Sequence, residues 1–200
     1  MGERLHPTLA TYLAALPQGV DSYPGCTVRA GTLVSALDLL DLESTEGLPE
    51  PVRALVADPP SRSRHVPEVY NLAFFSWLRD ERFEGDDGYL TFTDAVFRRF
   101  YAMPLYRVAF MMGRPGQVAS ASPRIWTWVR QGTRLEVVGR GERHVELRAV
   151  SPPHLFDALH ARIFARGLQV AYRMAHGFER LSVTLGEQTP TAIPMTVDWR

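Results

Sequence analysis

The sequence predicts an α+β fold: an N-terminal helical layer packed on a small antiparallel sheet, with β-β-α-β-β order in the C-terminal half. Three observations lead there. The first part of the chain, to about residue 120, carries apolar residues at helical spacing in segments broken by proline. Two runs rich in β-branched residues, 133–138 and 144–150, flank a glycine-containing turn. A long amphipathic stripe from Phe156 to Met174 then separates that hairpin from two further short strands.

The elements follow in order. Leu9, Tyr12, Leu13 and Leu16 have helical spacing, and Pro17-Gln18-Gly19 ends that segment. Between Thr27 and Leu42, the positions of Leu33, Leu37 and Leu40 predict an amphipathic helix. Pro49 to Ala57 reads as a short helix, with Pro51 near its start where a missing N–H is harmless. Asp58-Pro59-Pro60-Ser61-Arg62-Ser63 reads as a linker, because its two prolines disfavour helix. Pro67 to Phe83 is a strongly apolar helix, and Gly85-Asp86-Asp87-Gly88 is a turn before the next. That next helix runs from Leu90 to Met103, with Phe92, Val96, Phe100 and Met103 on one stripe. Pro104 interrupts it, and Leu105 to Met112 continues as a buried apolar stretch ending at Gly113.

After Pro123 the pattern changes to strands. Thr133 to Val138 and His144 to Val150 form a hairpin across Gly139-Arg140-Gly141-Glu142. Phe156, Leu159, Ile163, Gly167, Val170 and Met174 recur at three- and four-residue steps, with Gly177 as the C-cap. On this helix Leu159 and Ile163 are expected to face the sheet, and Gly167 to let the helix approach it closely. Leu181 to Leu185 and Ile193 to Trp199 complete the strands. The chain reads as a single α+β domain over 1–200, mainly helical over 1–122, with the sheet and the long helix over 123–200.

Composition narrows the chemistry. With 22 basic against 22 acidic residues the net charge is zero, so the broad basic footprint of a nucleic-acid binder is absent. Every basic residue other than histidine is Arg, which excludes Schiff-base lysines, pyridoxal phosphate sites and the P-loop lysine. Cys26 is the single cysteine, so neither an internal disulfide nor a Cys-x-x-Cys pair exists. No apolar run approaches the roughly 20 residues needed to span a bilayer. The start has no signal-peptide core, and the simplest location is the cytoplasm.

The readable catalytic motifs are missing: no Gly-x-Ser-x-Gly elbow, no His-Glu-x-x-His helix, no dinucleotide-binding glycine fingerprint. His154, Asp157 and His160 can meet pairwise at three-residue spacing, but this spacing suits a helix start better than a zinc site. No metal, haem or other cofactor is predicted. Aromatic density is the most unusual feature: 12 of the 21 aromatic residues lie between Tyr70 and Phe110, with Arg interleaved. This reads either as a core with Arg at its rim or as an apolar pocket whose Arg rim orients a ligand. For the pocket, Phe75, Phe100 and Tyr106 are the candidate walls. Arg79 is the first candidate for the rim, followed by Arg98 and Arg107, since long stems can lie along apolar surface while the guanidinium reaches an acid. Asp80 or Glu81 is the alternative partner for Arg79. Trp126 and Trp128 stand just before the sheet and are expected to anchor the helical layer to it; they share a side if extended and part if helical.

A set of landmarks carries a resemblance. These are Leu16-Pro17-Gln18-Gly19, Tyr23-Pro24, Leu48-Pro49-Glu50-Pro51, Val66-Pro67-Glu68-Val69, Met103-Pro104-Leu105-Tyr106-Arg107, Arg124-Ile125-Trp126, Arg130-Gln131-Gly132-Thr133, Ser151-Pro152-Pro153-His154-Leu155-Phe156 and Val197-Asp198-Trp199. The run resembles a paralogous group of uncharacterised myxobacterial proteins of about 200 residues, a usual domain size. The C-terminal β-β-α-β-β portion looks like the fold shared by haem-nitric-oxide-binding, four-vinyl-reductase and TRAPP-type vesicle-tethering domains. The resemblance implies a non-catalytic small-molecule sensor or protein-interaction module in signalling or regulation. It departs from those families in two respects. The Tyr-x-Ser-x-Arg haem motif is absent, and so is the cysteine cluster of metal-binding four-vinyl-reductase sensors, so no ligand residues carry over. The expected partners are a small apolar or acidic ligand and a protein partner or second copy, with no nucleic acid. An enzyme with a pocket of Asp, Glu, His or Arg from distant positions, and a structural scaffold, stay open beside this reading.

Overall fold

The structure is a computed structural model that describes residues 6–104, 106, 115–174 and 180–200. Two antiparallel sheets and seven α-helices make an α+β fold among these residues. Helix α1 (Pro7–Ala15) opens with proline at its first turn and buries Leu9 and Tyr12. Its free N–H groups are met from a distance: the Asp80 carboxylate accepts from Thr8 N at 2.8 Å, Thr8 Oγ1 at 2.6 Å and Leu9 N at 3.3 Å.

Strand β1 (Thr27–Arg29) and helix α2 (Gly31–Leu37) occupy the stretch expected to be one helix to Leu42. The correction has a tertiary cause. β1 pairs on one side with β2 (His65–Pro67) and on the other with β3 (Arg130–Gln131), and ladder bonds from distant segments outweigh local propensity. Helix α3 (Glu50–Ala57) lies where proline placed it, and no element covers 58–64.

Helix α4 (Glu68–Arg82) is the centre of the helical layer. Ten of its fifteen residues are buried, so it is covered on nearly all sides rather than along one stripe. Helix α5 (Asp86–Tyr101) begins four residues earlier than the pattern predicts, because Gly85 serves as N-cap and Asp86 and Asp87 favour the positive end of the first turn. Its buried stripe is Tyr89, Leu90, Thr93, Val96, Phe97 and Phe100, while Phe92 is half-buried. The expected apolar stretch 105–112, apart from Tyr106, lies outside the described residues.

Helix α6 (Pro115–Val129) continues through Pro123, after which the pattern is expected to change to strands. Interior proline removes a hydrogen bond and costs ~3 kcal/mol. The helix persists because Val118, Ala119, Ser122, Trp126 and Val129 form a buried stripe that packs on strand β4 (Arg134–Arg140). In this helical setting Trp126 is buried while Trp128 is exposed, so the two rings part.

β4 forms the expected hairpin with β5 (His144–Val150), with a bulge between Val137 and Gly139. Helix α7 (Ala158–Arg173) follows, then β6 (Leu181–Leu185) and β7 (Ala192–Trp199). The sheet order is β4-β5-β7-β6, all antiparallel. Strand alternation puts Leu135, Val145, Leu147, Ala149, Ile193, Met195 and Val197 on the inner face. α6 covers the β4 side of the sheet, and α7 lies between β6 and α5. Gly167 therefore serves a contact other than the expected one: a Cβ there would stand 2.9 Å from the Phe97 ring on α5, not against the sheet. Ile163 likewise turns toward the helical layer, where it borders a small void with Leu72 and Phe75. The expected C-cap at Gly177 lies outside the described residues.

Candidate functional site

The three-stranded sheet assembles the site. Val28 pairs with both Val66 and Arg130, and Thr27 with both Pro67 and Gln131. Glu68, which opens α4, and Arg130, which opens β3 just after α6, are thereby drawn together across β1 although 62 positions apart. Glu68 N also donates to Cys26 O at 2.9 Å, fixing the start of α4 against β1.

Glu68 is fully buried, and Arg130 Nε lies 3.3 Å from its Oε2. The contact is out of line for a hydrogen bond, so Glu68 Oε1, Glu68 Oε2 and Arg130 Nε all lack an aligned partner among the described residues. Burial pushes the Glu68 carboxyl up, while the Arg130 charge and, beyond it, His160 pull it back down. Trp126 and Phe164 stand nearly perpendicular to each other, 5.7 Å apart, and the Arg130 guanidinium carbon is 4.6 Å from both ring centroids. The cation thus sits in a corner of two aromatic rings, a setting worth ~0.5–2 kcal/mol per ring when desolvated. Trp126 is itself held by a 3.0 Å bond from Nε1 to Thr133 Oγ1.

Beside this corner lies an apolar cavity of about 60 Å³, bounded by α5, α6, α7 and β4. Phe97, Phe100 and Tyr101 form one wall; Trp126, Phe164 and Gly167 form another, and Arg130 is the only charged residue of the lining among the described residues. A smaller void of about 20 Å³ shares Thr32, Phe97, Arg130 and Phe164 with it and adds Asn71 and His160. His160 Nε2 is 3.3 Å from Ser76 Oγ and 3.4 Å from Leu72 O, and its Nδ1 is 2.9 Å from the Asp157 carboxylate. Asp157 accepts from His160 N at 2.9 Å as the N-cap of α7, so these two side chains of the His154/Asp157/His160 set close a helix end. Among the described residues no group of three His, Cys, Asp or Glu could hold a metal ion.

The residues expected to form a pocket are placed as follows. Phe100 lines the main cavity and Phe75 the smaller void. Tyr106 is buried behind Phe100, with ring centroids 4.6 Å apart. Arg79 stands away from both voids, 3.1 Å from Asp86 and 3.4 Å from Asp80. Arg98 is exposed on α5, and Arg107 lies outside the described residues. The cation at the cavity is Arg130 in place of Arg79 or Arg98, because the C-terminal ends of α4 and α5 point their guanidinium groups to acids or solvent at the rim. Arg130 stands in β3, just past the end of α6, so no helical spacing in the sequence marks it.

No protein-family model matches the chain, and no curated protein does. Solved structures do. An H-NOX structure determined to probe haem distortion aligns with 11% identity and TM-score 0.54, over 86% of this chain and 95% of that one. An oxygen-binding H-NOX domain related to soluble guanylate cyclases aligns with 11% identity and TM-score 0.53, over 86% and 92%. An unliganded Fe(II) H-NOX protein from K. algicida aligns with 12% identity and TM-score 0.54, over 86% and 96%. The fold is H-NOX-like.

Haem, the group named with the first of those structures, does not fit the described residues. The cavity of about 60 Å³ is far below the roughly 300–1,000 Å³ of pockets that hold ligands of drug size. Among the described residues none on its lining is His, Cys or Met, the usual axial ligands of haem iron. The two phenols on the lining are poor substitutes. Burial pushes the Tyr172 hydroxyl up to about 12, and it shares a 3.0 Å bond with Ser122 Oγ. Burial raises the Tyr101 hydroxyl as well, so both stay neutral rather than anionic. Among the described residues no helix is long and apolar enough to cross a membrane.

Proposed function

We propose that this protein is a non-catalytic small-molecule sensor module: an H-NOX-like fold whose internal cavity takes a small ligand directly, without haem. The observation that carries the reading is the inward-facing Arg130, held in the Trp126–Phe164 corner at the edge of an otherwise apolar void. A concave, mostly apolar site with one placed polar group is the usual form of a small-ligand site. Its position supports a sensing role. The cavity borders α5, α6, α7 and β4 together, so a ligand filling it changes how three helices and the sheet pack. The comparison with an oxygen-binding H-NOX domain related to soluble guanylate cyclases supports the same general role. The lining supports binding over catalysis, since among the described residues it presents one cation and neutral phenols and hydroxyls but no carboxylate or imidazole in the main cavity.

Xenon tests this reading, because a small apolar cavity takes it without a polar anchor. Under xenon pressure the methyl resonances of Ile125, Leu135, Leu168 and Ala171, all on the lining, are expected to shift in a saturable way. Ala171→Leu, which fills the void, should abolish the shifts. Unsaturable or absent shifts in the wild-type protein would mean that the interior is closed to ligands.

A further inference from the structure

We propose that the ligand is a short-chain monocarboxylate, of acetate to propionate size, whose carboxylate pairs with the Nη edge of Arg130. This rests on the cavity reading above and names the chemistry of its occupant. A guanidinium is planar, and its donors point outward in the plane. Around Arg130 two rings close one side as a corner, both 4.6 Å from the guanidinium carbon, and Glu68 approaches at Nε. Arg130 lines both voids, and the Nη edge is the part of a guanidinium that matches a carboxylate in a two-point fork. Glu68 is the only ionic partner of Arg130 among the described residues, and its contact is misaligned. Arg130 Nε is therefore left without an aligned acceptor in a side chain only 10% exposed, a setting in which a well-aligned acceptor has most to add.

Size and polarity limit the rest of the ligand. A dry apolar cavity of roughly 150 Å³ takes one benzene ring. The 60 Å³ here is under half of that, leaving space for roughly one or two carbons beside the headgroup. Those carbons would meet Phe97, Phe100 and Gly167, which offer no hydrogen-bonding side-chain atom. A longer chain would have to displace aromatic rings that are already packed. A neutral isostere such as acetamide would place an NH₂ group against the guanidinium donors, where it has no acceptor.

The test uses the full chain and NMR titration with acetate, propionate, hexanoate and acetamide, read at the Trp126 indole N–H. Acetate and propionate should shift that resonance saturably, with acetamide and hexanoate at least tenfold weaker. Arg130→Gln should weaken acetate binding tenfold or more. Should that variant fail to fold, Glu68→Gln decides. It keeps the side-chain volume and removes the resident carboxylate, so acetate should bind about tenfold tighter. Equal binding of acetate and acetamide, unchanged acetate binding in Arg130→Gln, or weaker binding in a folded Glu68→Gln overturns the proposal. If xenon enters the cavity and the acids do not bind, the cavity reading stands and the carboxylate assignment falls. If neither binds, both fall.

Discussion

Individual side chains in the interior divide into those that finish a helix and those left unfinished. Asp157 belongs to the first kind. Burial alone would raise its carboxyl, but the His160 charge and the bonds it receives from His160 and from the start of α7 hold it down at about 2. A carboxyl whose folded value lies below its unfolded value of 3.8 stabilises the fold above about pH 4, and that contribution is lost as pH falls from there toward 2. About a third of the side chain is still exposed (34%), so screening trims the effect to on the order of 1 kcal/mol. Asp157→Asn keeps the N-cap acceptor and removes the charge. Its urea midpoint should therefore fall less between pH 5 and pH 2.5 than that of the wild type; parallel losses would show that the carboxylate is not paired. Glu68 and Arg130 belong to the second kind. Removing one member of a buried pair costs about 3–5 kcal/mol, which leads us to read ligand binding through Glu68→Gln as well as Arg130→Gln.

Elements meet closely where a side chain is missing. The α5–α7 crossing has Phe97 lying against Gly167, and a Cβ there would sit 2.9 Å from ring carbon Cζ and 3.0 Å from Cε1. Helix propensity favours Ala over Gly by about 1 kcal/mol, whereas overpacking a filled core costs about 1–3 kcal/mol. The ring is stacked on Tyr101, 6.0 Å between centroids, which limits how far it can turn aside, so the clash should win. Gly167→Ala is expected to lower stability by about 1 kcal/mol net, and Phe97→Leu in the same chain should recover part of it. Chemical denaturation of the two variants checks this; a more stable Gly167→Ala would mean that the helices part without loss. The same crossing explains why the stripe from Phe156 to Met174 was legible as a helix while its partner was not. Periodicity states which residues share a face, and Ile163 and Gly167 do share one, but it does not say whether a sheet or another helix covers that face.

Across the whole molecule, the short sheet β2-β1-β3 joins segments from three distant parts of the chain. The four-stranded sheet has its inner face covered by α6 and α7, and α7 in turn presents Phe164 and Gly167 to the helical layer. Residues 115–200 alone would keep every strand of the larger sheet but expose that side of α7. We expect this fragment to bind a hydrophobic dye and to melt without a cooperative transition. A sharp melt would show instead that the C-terminal half carries a sufficient core of its own. This dependence is also why the cavity could not be found from the aromatic-rich region by itself. Phe97, Phe100 and Tyr101 supply one wall, and the rest comes from Thr32 and from residues 122–172.

What the sequence by itself determined was the kind of each long element and the order of the C-terminal half. The hairpin of β4 and β5, the helix α7 and the strands β6 and β7 repeat at two or 3.6 residues over enough positions for the period to be unambiguous. The tertiary structure alone decided the rest. β1, β2 and β3 are two or three residues long, too short to carry a period, and exist only because each finds its partner. Pro123 sits inside a helix because a buried stripe outweighs its local penalty. Arg130 and Glu68 became neighbours through the pairing of Val28 with both Val66 and Arg130. The physical reason is the same in each case. Local spacing records which side of an element is apolar, whereas a site is made by contacts between elements, and those are set by the pairing energies of segments far apart in the chain.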